Sequence, residues 1–307
     1  MATIFARRPL VTASSTAVAV STILYLTRPK PLLADSAYRE TTKTLSFPKS
    51  MLFAQSLTVV KSEQINHDTK KIAFSLPGGA NESGGVPSSS AILTQHTPQN
   101  AWFPVLRPYT PISSPDDLGT LQLLVKKYPS GRASGHLHSL NPGDKLTVRG
   151  PLPGYTYKPS WTQDRSVILI AGGAGITPIY GLARAILTEH AGDRTKVQLL
   201  WGVNGSRDIV LKDELEDLER RFPERLRVVY AVSGDGVGES GKYRKGYVND
   251  GLLSDAVGAC RSQGASWGDE KGTKVFLSGP PKMEDAMTGK GGVLEKLGVT
   301  KKEIHRF

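Results

Sequence analysis

The sequence predicts a protein of the α/β plus β class: an antiparallel β-barrel followed by a doubly wound parallel sheet. With 307 residues, the chain is long enough for two domains. Short apolar runs separated by turns fill residues 51–160, whereas strand and helix patterns alternate over residues 161–307. Such alternation is typical of a parallel sheet with helices on both faces. We therefore expect two domains with these bounds, preceded by a separate segment of residues 1–50.

Composition and charge exclude several classes of protein. Apolar residues make up 38% of the chain and charged residues 22%, which is the balance of an ordinary soluble enzyme. Cys260 is the only cysteine, so neither an internal disulfide, a zinc ribbon nor a cysteine-bound iron–sulfur cluster can form. The net charge is +11, but no dense basic run interleaved with aromatic residues follows residue 50. We expect no nucleic-acid partner.

The N-terminus contains an uncharged segment between Arg7-Arg8 and Arg28. Its most apolar part, Leu10 to Leu26, has 17 residues and would form a helix of about 25 Å, at the short limit for a bilayer core of about 30 Å. A mitochondrial presequence and a single membrane anchor are compatible with this pattern, whereas the positive flanks on both sides and the lack of cysteines argue against a secretory signal. We favour an anchor with mitochondrial targeting character, followed by a tether that ends near residue 50.

The barrel is predicted from short strands and one short helix. The stretch from Pro77 to Ser90 is rich in glycine and serine and predicts a flexible polar loop between the strands. Ser134 is expected to be the N-cap of a helix that reaches Leu140. The predicted strands are Leu57 to Val60, Lys71 to Phe74, Leu121 to Tyr128, and Lys145 to Val148.

The second domain is predicted from alternating strands and helices. The continuous apolar run from Val167 to Ile170 is typical of a strand that is buried on both faces. The predicted helices are Pro178 to Glu189, Leu211 to Phe222, and Lys282 to Met287. The further predicted strands are Val197 to Trp201, Leu226 to Val232, and Lys274 to Leu277.

A glycine-rich turn, residues 171–178 (AGGAGITP), directly follows the first strand of the second domain. Glycines let the main chain approach a phosphate, and the start of the following helix offers free N–H groups. The spacing differs from the G-x-G-x-x-G dinucleotide fingerprint, so an ordinary tight turn is the alternative interpretation. The position at the carboxyl end of a strand favours phosphate binding.

Three further motifs place polar groups at ligand-binding positions. In residues 107–113 (RPYTPIS), the arginine can bind a diphosphate and the tyrosine can lie against a flat ring, unless this is only a proline-rich edge strand. In residues 125–134 (VKKYPSGRAS), either a phosphate-facing helix start or an ordinary loop follows a strand. In residues 277–283 (LSGPPKM), Gly-Pro-Pro holds Ser278 at the carboxyl edge of the sheet.

The order of these motifs over residues 50–307 resembles the NADH–cytochrome b5 reductase group of the ferredoxin-reductase-like flavoenzymes. The resemblance implies an FAD-binding barrel over 51–160 and an NAD-binding domain over 161–307. It also implies hydride transfer from NADH to FAD and single-electron transfer to cytochrome b5 or a similar haem protein. The N-terminal segment is most similar to mitochondrial, fungal-type members, which implies the outer membrane or the intermembrane space.

The resemblance implies an FAD site in the barrel. Arg107 would pair with the FAD diphosphate, Tyr109 would pack against the flavin, and Thr110 would hydrogen-bond near the reactive N5 edge in a catalytic role. The other residues implied to form the flavin site are Pro108, Lys126, Gly131, Arg132, Ala133 and Ser134.

The resemblance also implies an NADH site in the second domain. Thr177 would lie close to both cofactors, and Ser278 would border the nicotinamide ring, both in catalytic roles. Asp208 matches an acidic position beside the adenosine ribose. The other residues implied to bind the dinucleotide are Gly173, Gly279, Pro280 and Met283.

Two positions leave alternatives open. The family normally has a cysteine where Ser278 stands, so a hydroxyl replaces a polarizable thiol beside the nicotinamide. Arg207, next to Asp208, can bind a 2′-phosphate, although we expect NADH to be preferred.

The spacing of the six histidines indicates no metal site, and we interpret the pair His136 and His138 as structural. A different acceptor (a mitochondrial haem-maturation partner, a ferric chelate or a quinone) and a nucleotide-binding membrane protein with little turnover remain alternatives.

Overall fold

The structure is a computed structural model that describes residues 41–234, 241–262, 266–268 and 274–307. The predicted targeting segment and membrane anchor lie in residues 1–40, outside the described residues, as does most of the tether. In the described part of the chain, no helix has the length and apolar character that crossing a bilayer requires. Residues 41–307 form one compact unit.

The first part of this unit is a β domain with a six-stranded antiparallel sheet. A short helix, α1 (Lys49–Leu52), packs against the strand Lys145–Leu152 of this sheet. The strands are β1 (Thr42–Lys43), β2 (Gln55–Gln64), β3 (Thr69–Ser75), β4 (Glu82–Ser83), β5 (Ala91–His96), β6 (Val105–Tyr109), β7 (Thr120–Lys126) and β8 (Lys145–Leu152). The sheet has the order β6-β5-β8-β2-β3-β7, and β1 and β4 form a separate parallel pair.

This sheet encloses an apolar core that includes the buried side chains of Leu57, Phe74 and Leu146. The main-chain N–H of Ile112, beyond β6, donates to the carbonyl of Gln122 on β7 at 2.9 Å. The two edges of the sheet therefore approach each other. Every apolar run that predicted a strand in this domain overlaps a strand of the sheet, and the predicted antiparallel β domain is confirmed.

The stretch between Pro77 and Ser90 is a polar connection, as predicted, but part of it is buried and it contains two short elements. This stretch contains a helical turn at Gly79–Asn81 and strand β4, and Ser88, Ser89 and Ser90 are buried. Ser88 donates to the carboxylate of Glu189, and Ser89 donates to the carbonyl of Tyr155 at 2.5 Å. Because long-range partners satisfy these hydroxyls, small polar residues are buried here although their local pattern predicts exposure.

The N-cap prediction for Ser134 was wrong. Helix α2 spans Arg132–Ser139, and Gly131 is its N-cap residue. Ser134 lies in the first turn, where its hydroxyl donates to the carbonyl of Gly131 at 3.2 Å and accepts from the N–H of Tyr128 at 3.2 Å. Ser134 therefore closes the preceding turn, and the N-cap lies three residues earlier than predicted.

The second part of the unit contains a sheet whose seven described strands are all parallel. They are β9 (Arg165–Gly172), β10 (Thr195–Val203), β11 (Leu226–Val232), β12 (Tyr243–Lys245), β13 (Ser266–Trp267), β14 (Val275–Ser278) and β15 (Ile304–Arg306). The order is β12-β11-β10-β9-β14-β15, and β13 also pairs with β9. The helices are α3 (Ile176–Arg184), α4 (Lys212–Arg221), α5 (Asp250–Ser262), α6 (Pro281–Thr288) and α7 (Val293–Lys296).

Helices cover both faces of this parallel sheet. On one face, Ile179 of α3 and Leu215 of α4 belong to one apolar core. On the other face, Leu253 of α5 and Met287 of α6 belong to a second core. Strand β9 lies between the two cores and is buried over its whole length, as its continuous apolar run predicts. The predicted doubly wound sheet is confirmed.

The single cysteine of the chain is inaccessible. Cys260 lies on α5 and is buried in the second of these cores. Burial raises the pKa of its thiol to about 12. The thiol is therefore protonated at physiological pH.

Helix α3 belongs to the second domain and packs against the β domain. The guanidinium of Arg184 donates to the carbonyls of Ile112 and Ser113 in the β domain, at 2.6 and 2.8 Å. One turn earlier, Gly181 lies directly against the carbonyl of Ser88, so that a β-carbon at this position would overlap the oxygen. The contact is between main chains, and it leaves no room for any side chain.

We expect Gly181→Ala to lower the free energy of unfolding by about 1–3 kcal/mol, because the added methyl must push α3 away from Ser88. The control is Gly258→Ala on α5, where a β-carbon meets open space. That change is expected to be neutral or to stabilise by up to about 1 kcal/mol. Chemical denaturation of both variants measures the difference, and equal stabilities would contradict this account of the contact.

Candidate functional site

Two cavities lie side by side where the two domains meet. The barrel cavity, of about 720 Å³, is lined by the ends of β6 and β7, the start of α2 and the C-terminus of the chain. The sheet cavity, of about 540 Å³, lies over the carboxyl ends of β9, β10 and β14. Six residues line both cavities and form their common wall: Leu124, Lys126, Tyr128, Ala174, Gly175 and Thr177.

The barrel cavity brings together all of the residues predicted to form the flavin site. Residues 107–110 reach it from β6, and residues 131–134 reach it from the start of α2. Thr177 and Ser278 reach it from the second domain. The predicted residues that line it are Arg107, Pro108, Tyr109, Thr110, Lys126, Gly131, Arg132, Ala133, Ser134, Thr177 and Ser278.

Arg107 is available to bind an anion. Its guanidinium is exposed, and among the described residues its one hydrogen bond goes to the neighbouring carbonyl of Leu106 at 2.8 Å. The main chain of Arg107 is fixed, since its carbonyl accepts from the Thr94 hydroxyl at 3.1 Å. Burial raises the pKa of Tyr109, two residues further on, to about 12, so its phenol stays neutral. The positive guanidinium of Arg107 and the neutral ring of Tyr109 therefore lie on the same edge strand, β6.

The start of α2 offers a second group of donors to the barrel cavity. No side chain in the described part of the protein caps the first turn, and Gly131 at the N-cap has extended backbone geometry. Free N–H groups and the positive end of a helix dipole attract phosphate. Together with Arg107, this helix start makes the cavity suitable for a diphosphate.

Residues 172–175 form the floor of the sheet cavity. A β-carbon at Gly175 would overlap the main chain of Ser278, and a β-carbon at Gly172 would overlap the sulfur of Met283. The absence of side chains lets β14 and α6 lie directly against the turn after β9. Of the residues predicted to bind the dinucleotide, the sheet cavity is lined by Gly173, Thr177, Asp208, Gly279, Pro280 and Met283.

Ser278 does not line the sheet cavity. It ends strand β14, is buried, and belongs to the wall of the barrel cavity. Its neighbour Gly279 lines the sheet cavity, so the strand end passes between the two cavities.

One carboxylate oxygen of Asp208 accepts a hydrogen bond, and the other is free of hydrogen bonds, although Lys126 lies within ion-pair distance of it. Oδ2 accepts a hydrogen bond from the N–H of Gly205 at 3.0 Å, which closes the turn Ser206–Asp208. Oδ1 is buried and has no hydrogen-bond partner among the described residues. A buried acceptor without a donor is costly, so this oxygen is suited to a ligand hydroxyl. Arg207 is exposed and does not line the sheet cavity.

Lys126 differs from the prediction, which placed it with the flavin alone. It lines both cavities, and its ammonium lies 2.6 Å from Oδ2 of Asp68 and 3.9 Å from Oδ1 of Asp208. Burial alone would raise the pKa of Asp68, but hydrogen bonds from Lys126 and Thr69 outweigh it and lower the pKa. Lys126 therefore serves the acidic side of the sheet cavity as well.

An ion pair that the sequence did not predict fixes the end of β14. The carboxylate of Glu284 accepts from the N–H of Gly279 at 3.0 Å and from the Arg306 guanidinium at 2.8 and 2.6 Å. Arg306 lines the barrel cavity, so this pair joins the linings of both cavities. In sequence, Glu284 has only the signature of an ordinary acidic residue in the first turn of a helix.

The C-terminal residues close the barrel cavity. The N–H of Phe307 donates to the carbonyl of Leu277 at 3.0 Å, which holds the last residue beside β14. The ring of His305 packs edge-on against Phe307, with centroids 4.8 Å apart. Burial lowers the pKa of His305, so its ring is neutral at physiological pH.

Two tyrosines that line the sheet cavity, Tyr128 and Tyr247, were not predicted from the sequence. Both are exposed, and exposed tyrosines have no distinctive spacing that would indicate a binding site.

Comparison with known proteins agrees with this two-cavity arrangement. Residues 56–157 match the family described as the oxidoreductase FAD-binding domain, and residues 169–288 match the oxidoreductase NAD-binding domain. An FAD-binding domain followed by an NAD-binding domain defines a two-domain flavin-dependent oxidoreductase.

Curated relatives place the chain within this class. It is 38% identical to NADH-cytochrome b5 reductase 2 of Phaeosphaeria nodorum, over 82% of this chain and 74% of the relative. It is 39% identical to the Pyricularia oryzae protein of the same name, over 87% of this chain and 79% of the relative. The chain belongs to the NADH–cytochrome b5 reductase family, and the resemblance in its motifs is confirmed.

A solved structure shows the same fold. The cytochrome b5 reductase domain of Ulva prolifera nitrate reductase superposes with a TM-score of 0.70 and 26% identity, over 87% of this chain and 100% of that domain.

Proposed function

We propose that the protein transfers hydride from NADH to FAD and passes the electrons singly to cytochrome b5 or a similar haem protein. The common wall of the two cavities carries this proposal. Ligands in the two cavities would be in contact at Thr177 and Gly175, which is what direct transfer between two cofactors requires. The names of the curated relatives support NADH as the donor and cytochrome b5 as the acceptor.

FAD fits the barrel cavity. The exposed guanidinium of Arg107 and the free N–H groups at the start of α2 would bind its diphosphate from two sides. Tyr109 would pack against the isoalloxazine, and Thr110 would hydrogen-bond at its N5 edge. When bound, FAD accepts hydride and releases single electrons, chemistry that side chains do not supply.

NADH fits the sheet cavity. The free Oδ1 of Asp208 would accept a hydrogen bond from the adenosine ribose, and the turn 172–175 would lie along the diphosphate. Gly279, Pro280 and Met283 would border the nicotinamide ring. Thr177 and Ser278 would act by position: both are buried between the cavities and would hold the two rings in contact while excluding water.

We further propose that the N-terminal segment anchors the protein to a mitochondrial membrane, in the outer membrane or facing the intermembrane space. The apolar run from Leu10 to Leu26, its flanking arginines and its serine and threonine content support this location.

The alternative electron acceptor is a haem-maturation partner, a ferric chelate or a quinone. Anaerobic titration of the purified full-length protein with NADH tests the central proposal: flavin absorption that does not bleach would favour a nucleotide-binding protein with little turnover.

We expect Arg107→Ala to weaken FAD binding at least tenfold, because it removes a charge-assisted contact to the diphosphate. Flavin occupancy after purification and the dissociation constant for FAD measure the effect. Arg194→Ala is the matched control, since Arg194 is exposed and pairs with Asp164 away from both cavities. Full occupancy in Arg107→Ala would show that this motif does not bind the flavin.

We expect the wild-type protein to prefer NADH to NADPH, because the Asp208 carboxylate accepts hydrogen bonds from the ribose hydroxyls and repels a 2′-phosphate. Asp208→Asn should raise the ratio of kcat/KM for NADPH to that for NADH by about tenfold, equivalent to about 1.4 kcal/mol. Steady-state kinetics with both dinucleotides measure the ratio. Equal kcat/KM values for the two dinucleotides in the wild type would indicate that Arg207 dominates the site.

We expect Ser278→Cys to accelerate flavin reduction by NADH about tenfold without changing flavin content. A thiol restores the side chain usual in the family, and only contacts that differ between ground state and transition state alter the chemical step. Anaerobic stopped-flow bleaching of the flavin measures this rate, with Ser278→Ala as the control for removal of the hydroxyl. A rate equal to that of the wild type would mean that serine is an equivalent replacement.

A further inference from the structure

The turn between β2 and β3 is fixed by the side chain of Asn66. Its Oδ1 accepts hydrogen bonds from the N–H groups of Asp68 and Thr69, at 3.0 and 2.8 Å. Its main-chain carbonyl accepts from the amide of Gln64 at 2.6 Å. This turn belongs to the β domain, on the side that faces the second domain.

The same side chain reaches across the domain junction. Nδ2 of Asn66 donates to the carbonyl of Arg207 at 2.9 Å. Arg207 lies in the middle of the turn Ser206–Asp208, and the next residue is Asp208, whose Oδ1 is the free oxygen described above. A barrel residue thus holds the main chain that carries a sheet-cavity residue.

Further contacts reinforce this connection. Lys126 lies within ion-pair distance of Asp68 on one domain and Asp208 on the other. Lys71 on β3 lies 3.3 Å from Glu214 on α4. Their charges hold the domains together, but the hydrogen bond from Asn66 is directional, because a carbonyl accepts over a limited range of angles.

We propose that Asn66 is a positioning residue for the adenosine end of NADH. By holding the carbonyl of Arg207, it keeps Oδ1 of Asp208 towards the sheet cavity and the Arg207 guanidinium outside it. This inference rests on the proposed function, in which Asp208 binds the ribose. Dinucleotide affinity is then set in part by a residue of the FAD-binding domain that contacts neither cofactor.

The test is Asn66→Asp. The carboxylate keeps the acceptor that closes the β2–β3 turn, but it replaces the donor with an oxygen that repels the carbonyl of Arg207. We expect the KM for NADH to rise about fivefold, while kcat and flavin content stay within twofold of the wild type. Preference for NADH over NADPH should narrow, because Arg207 is released. A general structural defect would lower kcat and flavin content as well.

Two further variants separate the hydrogen bond from the added charge. Asn66→Ser can close the turn through its hydroxyl but is too short to reach Arg207, and it should raise KM to the same extent without a charge. Asn141→Asp adds the same charge and removes a similar bond, from Nδ2 to the carbonyl of Ser139 at 3.1 Å, within the β domain. It should leave KM within twofold. An unchanged KM in both Asn66 variants would overturn the proposal.

A double-mutant cycle with Asp208→Asn tests whether Asn66 acts through Asp208. Once Asp208 no longer binds the ribose as a carboxylate, Asn66→Asp should have little additional effect on KM. Full additivity would overturn the proposal while leaving the role of Asp208 intact. If Asp208→Asn alone leaves the KM for NADH unchanged, the proposed ribose contact itself is wrong, and the inference about Asn66 falls with it.

Discussion

The close approach of helix α3 to the β domain is the constraint on which the two cavities depend. Gly181 lies against the main chain of Ser88, and Arg184 holds two carbonyls of the β domain one turn later. The start of the same helix supplies Thr177, and the turn before it supplies Gly175, to the wall that the cavities share. A displacement of α3 would therefore separate the cavities, and ligands bound in them would no longer meet. The packing of one helix connects the stability of the protein with its chemistry.

Local sequence patterns predicted most of the fold because apolar periodicity and turn residues are local signals. The buried run from Val167 to Ile170 predicted strand β9, and the glycine turn that follows it lies at the carboxyl edge of the sheet. Residues 107–110 and 131–134 line one cavity, as the family resemblance implied. Binding a diphosphate requires particular residue types close together in sequence, and a pattern of this kind can be recognised locally.

Features that depend on partners far along the chain could not be predicted in this way. Ser88 and Ser89 have the composition of an exposed loop, yet both are buried, and their hydroxyls donate to Glu189 and to the carbonyl of Tyr155, which are distant in sequence. Glu284 has the pattern of a helix start, and only the fold brings Arg306 to it. The prediction assigned Lys126 to the flavin site because it lies on a strand of the barrel. Its ammonium, however, lies between carboxylates of both domains. In each case the local residues are compatible with several surroundings, and the tertiary contact selects one.

The burial of Cys260 has a chemical consequence for a protein that handles electrons. It is the only thiol in the chain, and a pKa of about 12 keeps the reactive thiolate form scarce. With a hydroxyl at Ser278, no thiol lines either cavity, and the sulfur atoms among the lining residues are the thioethers of Met283 and Met287. Peroxide and alkylating reagents therefore find no exposed cysteine on the folded protein. Serine in place of cysteine therefore leaves the residues that line the two cavities without a target for thiol-specific reagents.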